Sequence, residues 1–177
     1  RLISSGLDAQ IFVWEGNRIT ARYRHSNGLS HLAINNQWIA GGSPLSNELL
    51  IFDHQLNLIK TIHSRTNIAC LAFSPSGRWL LAGGGSNPYT ITLYDSRNNF
   101  AVKTTYTHTN SVSTCAYLDE DTPITAGGNN FEIYFWNTDG EIKGEIAGRG
   151  QQLWAVGFDK TGLTWGSTWT GTTRYAH

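Results

Sequence analysis

Three sets of residues have the types that do chemistry, and their spacing decides what each can be. Gly83, Gly84 and Gly85 run together. A phosphate cradle needs a Lys with Ser or Thr opening a helix after such glycines. No Lys follows, and no helix is predicted, so the run reads as a tight turn. Of the six histidines, His25, His63 and His108 recur at intervals, while His31, His54 and His177 are scattered. A metal centre wants several His, Cys or carboxylate ligands at ligand spacing. None is visible, so neither metal nor cofactor is expected. Asp119, Glu120 and Asp121 lack the alternation that wraps calcium and read as a solvated loop tip. No Ser-His-Asp or Cys-His grouping follows from sequence order. No catalytic residue is therefore assigned.

The elements around these residues are strands. From Phe73 to Asp95 the chain gives a turn (Ser74 to Gly77), an apolar run (Trp79 to Ala82), a glycine break and an alternating strand, Thr90 to Tyr94. Pro sets φ at such a turn, Gly closes it, and the alternation has the period of a half-buried strand. This pattern recurs. Trp14, Phe52, Tyr94 and Trp136 each close an apolar run, at spacings of 38, 42 and 42 residues. A glycine break precedes each one, and His25, His63 and His108 open three of the units. Short strands recurring at roughly 40 residues mark a radial β-architecture.

These units resemble WD repeats, named for a Trp-Asp pair ending the third strand of a propeller blade. Here the pair reads Trp14-Glu15, Phe52-Asp53, Tyr94-Asp95 and Trp136-Asn137. The turn FSPSG and the run Ser4 to Trp14 carry the resemblance best. It implies an all-β chain, a β-propeller of WD-repeat type. It also implies a hydrogen-bonded set of His, Ser or Thr, Asp and Trp inside each blade. The structural positions are then Asp8 with Trp14, His25 with Phe52, His63 with Tyr94, and His108 with Trp136. Asp8 lies six residues before Trp14, where later units have Ser46, Pro88 and Asn130.

Counting strands gives three, then three groups of four, then three, or about four and a half blades. The units run roughly 1–24, 25–62, 63–107, 108–147 and 148–177. The family usually closes at about seven blades. That shortfall, the lack of methionine and a start inside a second strand together predict a fragment of a partial propeller, continuous with further blades or a fused effector domain. The stretch Gly148 to Thr168 is loosely similar to propellers fused to caspase-like or other effector domains in bacterial proteins.

The resemblance further implies a non-catalytic protein–protein interaction scaffold, with a protein or peptide bound on one loop rim. Loops joining fourth to first strands supply Asn27, Leu29, Arg65, Asn67 and Asn110, then Arg149, Gln151 and Gln152. Loops joining second to third strands supply Tyr89, Phe131 and Trp169. Aromatics and Arg among amides are the make-up of interface anchors. The alternative is a small-ligand or enzymatic site in the central channel, where His31 is the one group titrating near neutrality.

Composition narrows the partners. Thirteen basic and thirteen acidic residues cancel, so no nucleic acid is expected. No run of about 18 apolar residues exists, so no membrane span is expected. Cys70 and Cys115 fall at unmatched positions of successive units and are expected to face different ways, unbridged. Reduced thiols suit the cytoplasm.

Overall fold

The described residues form 18 β-strands and one turn of 3-10 helix at Ser96–Asn98. Its structure, a computed structural model, describes residues 1–129, 131–146, 153–159, 162–167 and 174–176. The first sheet holds β1 (Leu2–Ser5), β2 (Gln10–Glu15) and β3 (Arg18–Arg24). The second holds β4 (His31–Ile34), β5 (Ile39–Gly42), β6 (Glu48–Phe52) and β7 (Leu58–His63). The third is β8 (Ile68–Phe73), β9 (Trp79–Gly84), β10 (Thr90–Asp95) and β11 (Ala101–Thr107). The fourth is β12 (Val112–Tyr117), β13 (Pro123–Gly127), β14 (Glu132–Trp136) and β15 (Ile142–Ile146). β16 (Leu153–Asp159), β17 (Gly162–Ser167) and β18 (Arg174–Ala176) make the fifth. Each sheet is an antiparallel meander pairing consecutive strands. The grouping of strands is the one expected from the sequence.

Neighbouring sheets bury their faces on each other, because no single small sheet can cover both of its own. Alternation along β6 shows how: Leu50 and Phe52 pack with Ile11 and Val13 of the first sheet. Leu49 and Ile51, pointing the other way, pack with Ile68 and Leu80 of the third. Leu81 and Leu93 meet Val112 and Trp136 of the fourth sheet, and Ile124 and Ile133 meet Leu153 and Leu163 of the fifth. Strands buried on both faces, such as β5 and β9, therefore read as continuous apolar runs. A bulge recurs between the third and fourth strands, beside Trp14, Phe52, Tyr94 and Trp136 alike.

The glycine breaks are close approaches between sheets. A Cβ on Gly42 would overlap the Ile68 side chain, and one on Gly84 would stand 2.8 Å from Val112 Cβ. Turn chemistry at Ser74 to Gly77 holds too: Gly77 has φ +76° and donates to Ser74 O at 2.8 Å.

Three expectations need correcting. Leu29, expected on the binding rim, does not face solvent: its N–H donates to Gly6 O at 3.1 Å, and its side chain is 1% exposed. It is the counterpart of Ile68, Val112 and Leu153, the apolar plugs ahead of each first-strand bulge. The acidic tip is not simply solvated. Glu120 crosses to the preceding sheet and accepts from Ser76 N (2.8 Å), Ser76 Oγ (2.7 Å) and Ser74 Oγ (2.9 Å). Finally, the free, buried thiols of Cys70 and Cys115 meet, with Cys115 hydrogen-bonded to Cys70. Pointing to opposite faces of their own sheets brings them together, because those two faces form one interface.

Candidate functional site

In a four-stranded meander, the second-to-third connection and the exit to the next sheet lie at the same end. Segments 6–9, 25–30, 43–47, 64–67, 85–89 and 108–111, with residues 128, 129 and 131, therefore share one rim. Its backbone is held by short side chains. Thr66 Oγ1 donates to Thr90 O (3.0 Å) and accepts from Gly84 N (3.1 Å). Asn67 donates through Nδ2 to Pro44 O at 2.9 Å and through its backbone N–H to Ser86 Oγ at 3.1 Å. Asn110 Nδ2 donates to Asn129 Oδ1 at 2.8 Å. Asn67 and Asn110 thus spend donors on the rim itself.

The other candidates divide clearly. Arg65 and Asn27 are exposed. Tyr89 is half-buried, at φ +55°, and its carbonyl accepts from His108 N. Phe131, at φ +56°, folds back against Ile124, Ile133 and Leu153 and belongs to the packing. Arg149, Gln151, Gln152 and Trp169 lie outside the described residues. Two surface anchors escaped the sequence reading: Leu7 and Leu45, 69% and 74% exposed, on second-to-third loops. Their signal was an apolar residue at a loop tip, which is easily confused with a strand end.

Beneath the rim lies the repeating polar set. Trp136 Nε1 donates to Thr125 Oγ1 at 2.7 Å, and His108 Nε2 lies 2.6 Å from the same hydroxyl. Trp14 Nε1 donates to Ser4 Oγ at 2.9 Å. Ser4 and Thr125 occupy one position, opposite the residue two before each Trp. Where the ring is Phe52 or Tyr94, that position is Gly41 or Ala82. A ring with no indole N–H needs no hydroxyl beneath it, so the two positions change together. Burial pushes His108 down to about 4, opposed by the nearby Glu132 carboxylate. His25 Nε2 approaches Glu48 Oε2 at 3.4 Å.

Two members of the expected set move. His63 is the exposed end of β7, and the next residue, buried Ser64, takes the place of His25 and His108, its N–H donating to Asn47 O at 2.8 Å. Asp8 is exposed and accepts locally from Gln10 N (3.3 Å) and Gln10 Nε2 (3.2 Å). No cluster of three His, Cys or carboxylate side chains able to hold a metal occurs among the described residues. In the channel-side first strands, His31 is half-buried, and burial lowers it from the usual imidazole range.

Comparison with known proteins fits this geometry. The WD domain, G-beta repeat, matches residues 56–95. A chain in the solved structure described as "Crystal Structure of Mitotic Checkpoint Complex" is similar over 92% of this chain, with TM-score 0.80 at 19% identity. The fold is a partial β-propeller of WD-repeat type. This chain spans 52% of the solved chain it matches. The matched WD repeat runs from Leu56 to Asp95, so it takes β7 from the second sheet and β8 to β10 from the third. Its closing Asp95 accepts from Arg97 N at 3.0 Å, capping the turn into β11. Asp53 and Asn137 cap the equivalent turns through Gln55 N (2.8 Å) and Asp139 N (3.1 Å). The acid of the Trp-Asp pair is thus a turn cap in each propeller blade that keeps it or its amide.

Proposed function

We propose that the rim of this WD propeller recognises a protein or peptide and that the chain works as a non-catalytic scaffold. WD propellers in general mediate protein–protein interaction, and the solved relative is a chain of a protein complex. One observation carries the proposal: Leu7, Leu45 and Arg65 stand exposed on loops whose backbone is already fixed, the first by Ala9 N and Leu29 N donating to Gly6 O and the other two by Thr66 and Asn67. Binding there loses little ordering entropy. Arg is among the residue types that dominate interfaces, and the two exposed leucines add apolar area that a partner would remove from water. On this view the chain is the sensing or regulatory part of a larger cytoplasmic protein, joined to further blades or an effector domain. Two buried free thiols suit that compartment.

The test is affinity capture from lysate with the full protein carrying Leu7→Asp, Leu45→Asp and Arg65→Ala together. The captured partner should fall by roughly 30-fold or more, as for the loss of a central anchor, with an unchanged melting temperature. Undiminished capture would sink the rim as the binding surface.

A further inference from the structure

Like the outermost strands of the other sheets, β3 pairs among the described residues with its inner neighbour alone, so its outer edge offers free backbone N–H and C=O groups. It differs from those strands in side chains. Its register places Arg22 opposite Phe12 and Arg24 opposite Gln10, both arginines on one face. Both are exposed, and neither has a carboxylate partner among the described residues. The same two positions are Thr61 and His63 on β7, and Thr105 and Thr107 on β11. Those residues stay exposed or half-buried although a sheet precedes them. Accessibility of Arg22 and Arg24 therefore follows from their place on the outer strand, whatever covers the inner part of the face.

We infer that the β3 edge is a docking site for an extended acidic protein segment carrying a carboxylate at every second residue. Two arginines two residues apart stand about 7 Å apart along the strand. A segment adding to the edge places its own alternate side chains directly across from them. Arg then meets carboxylate in the forked geometry it forms best. A nucleic-acid strand is the weaker fit, because the whole chain has no net positive charge to hold a polyanion, with 13 basic and 13 acidic residues. This site is separate from the rim, and its fate does not depend on the rim reading.

The experiment is fluorescence anisotropy on the full protein with a labelled alternating Glu-Val peptide at low salt. An alternating Lys-Val peptide and a single-stranded oligothymidylate serve as competitors. Arg22→Thr/Arg24→Thr copies the pair that β11 carries, so it should fold normally. Arg22→Glu/Arg24→Glu reverses the charge. Binding of the Glu-Val peptide should weaken with salt, fall about tenfold in the threonine variant and vanish on charge reversal. Three results overturn the inference: no Glu-Val binding, binding indifferent to both variants, or tighter binding of the oligonucleotide. Arginines that merely guard the edge against self-association would give the first result, together with aggregation of the threonine variant.

Discussion

Thr125 serves two rings at once, because its hydroxyl meets both Trp136 Nε1 and His108 Nε2 inside the fourth sheet. Thr125→Val keeps the shape and strands both partners. It should cost about 2–3 kcal/mol in urea denaturation, the range for unsatisfied buried groups. Ser4→Ala should cost less, since the Trp14 pair is only part-buried. His108 adds a pH dependence. Its folded value lies near 4, below the unfolded value of about 6.5, so the unfolded chain takes up the proton first. Its contribution is fully present above pH 6.5 and is lost as pH falls towards 4. Melting curves across that window should drop for the native chain and flatten for His108→Asn. Much at this scale was open to a reader of the sequence, notably that Ser4 and Thr125 accompany Trp while Gly41 and Ala82 accompany Phe and Tyr. His63 misled because a one-residue shift of register moves a side chain to the opposite face. Only strand pairing reveals that Ser64 holds the position.

Between elements, fit decides. Gly42 has no positive φ, so Gly42→Ala tests the clash with Ile68 alone. Overpacking should cost about 1–3 kcal/mol, and Ile68→Ala, which removes two of the three atoms met, should cost less in the Gly42→Ala chain than in the native one. Glu120 ties the fourth sheet to the Ser74–Gly77 turn of the third. Partial burial alone would raise its carboxyl, but the hydrogen bonds from Ser76 and Ser74, with Arg97 nearby, outweigh that and lower it. The stabilisation is therefore present above the ordinary glutamate value and lost as pH falls through the lowered one. At a largely exposed site Glu120→Gln should cost no more than about 1 kcal/mol. The strands themselves were legible, since alternation, turn residues and glycine breaks all mark the same boundaries. Contacts across sheets were not, because the Glu120 bridge and the Cys70–Cys115 meeting depend on which faces oppose in space.

For the molecule as a whole, the thiols report how the sheets open. The hydrogen bond its thiol gives to Cys70, then burial, holds Cys115 well above the usual thiol range, and the thiolate is the reactive form. A disulfide reagent should therefore label neither cysteine in the native protein at neutral pH. Both should react together as denaturant separates the third and fourth sheets. Labelling of one thiol in the absence of denaturant would show that this interface breathes independently. The partition into five sheets was readable throughout, because each interface repeats one recipe of aromatic, aliphatic and glycine. The binding surface was less so: loop tips follow no such recipe, and Leu45 announces itself only once its exposure is known.

The matched repeat is out of phase with the sheets, taking β7 from one and β8 to β10 from the next. The seam between the second and third sheets is consequently sewn by unbroken peptide within one repeat. Duplicating or losing one such segment would change the array by four strands, a whole blade, without leaving a half-built sheet.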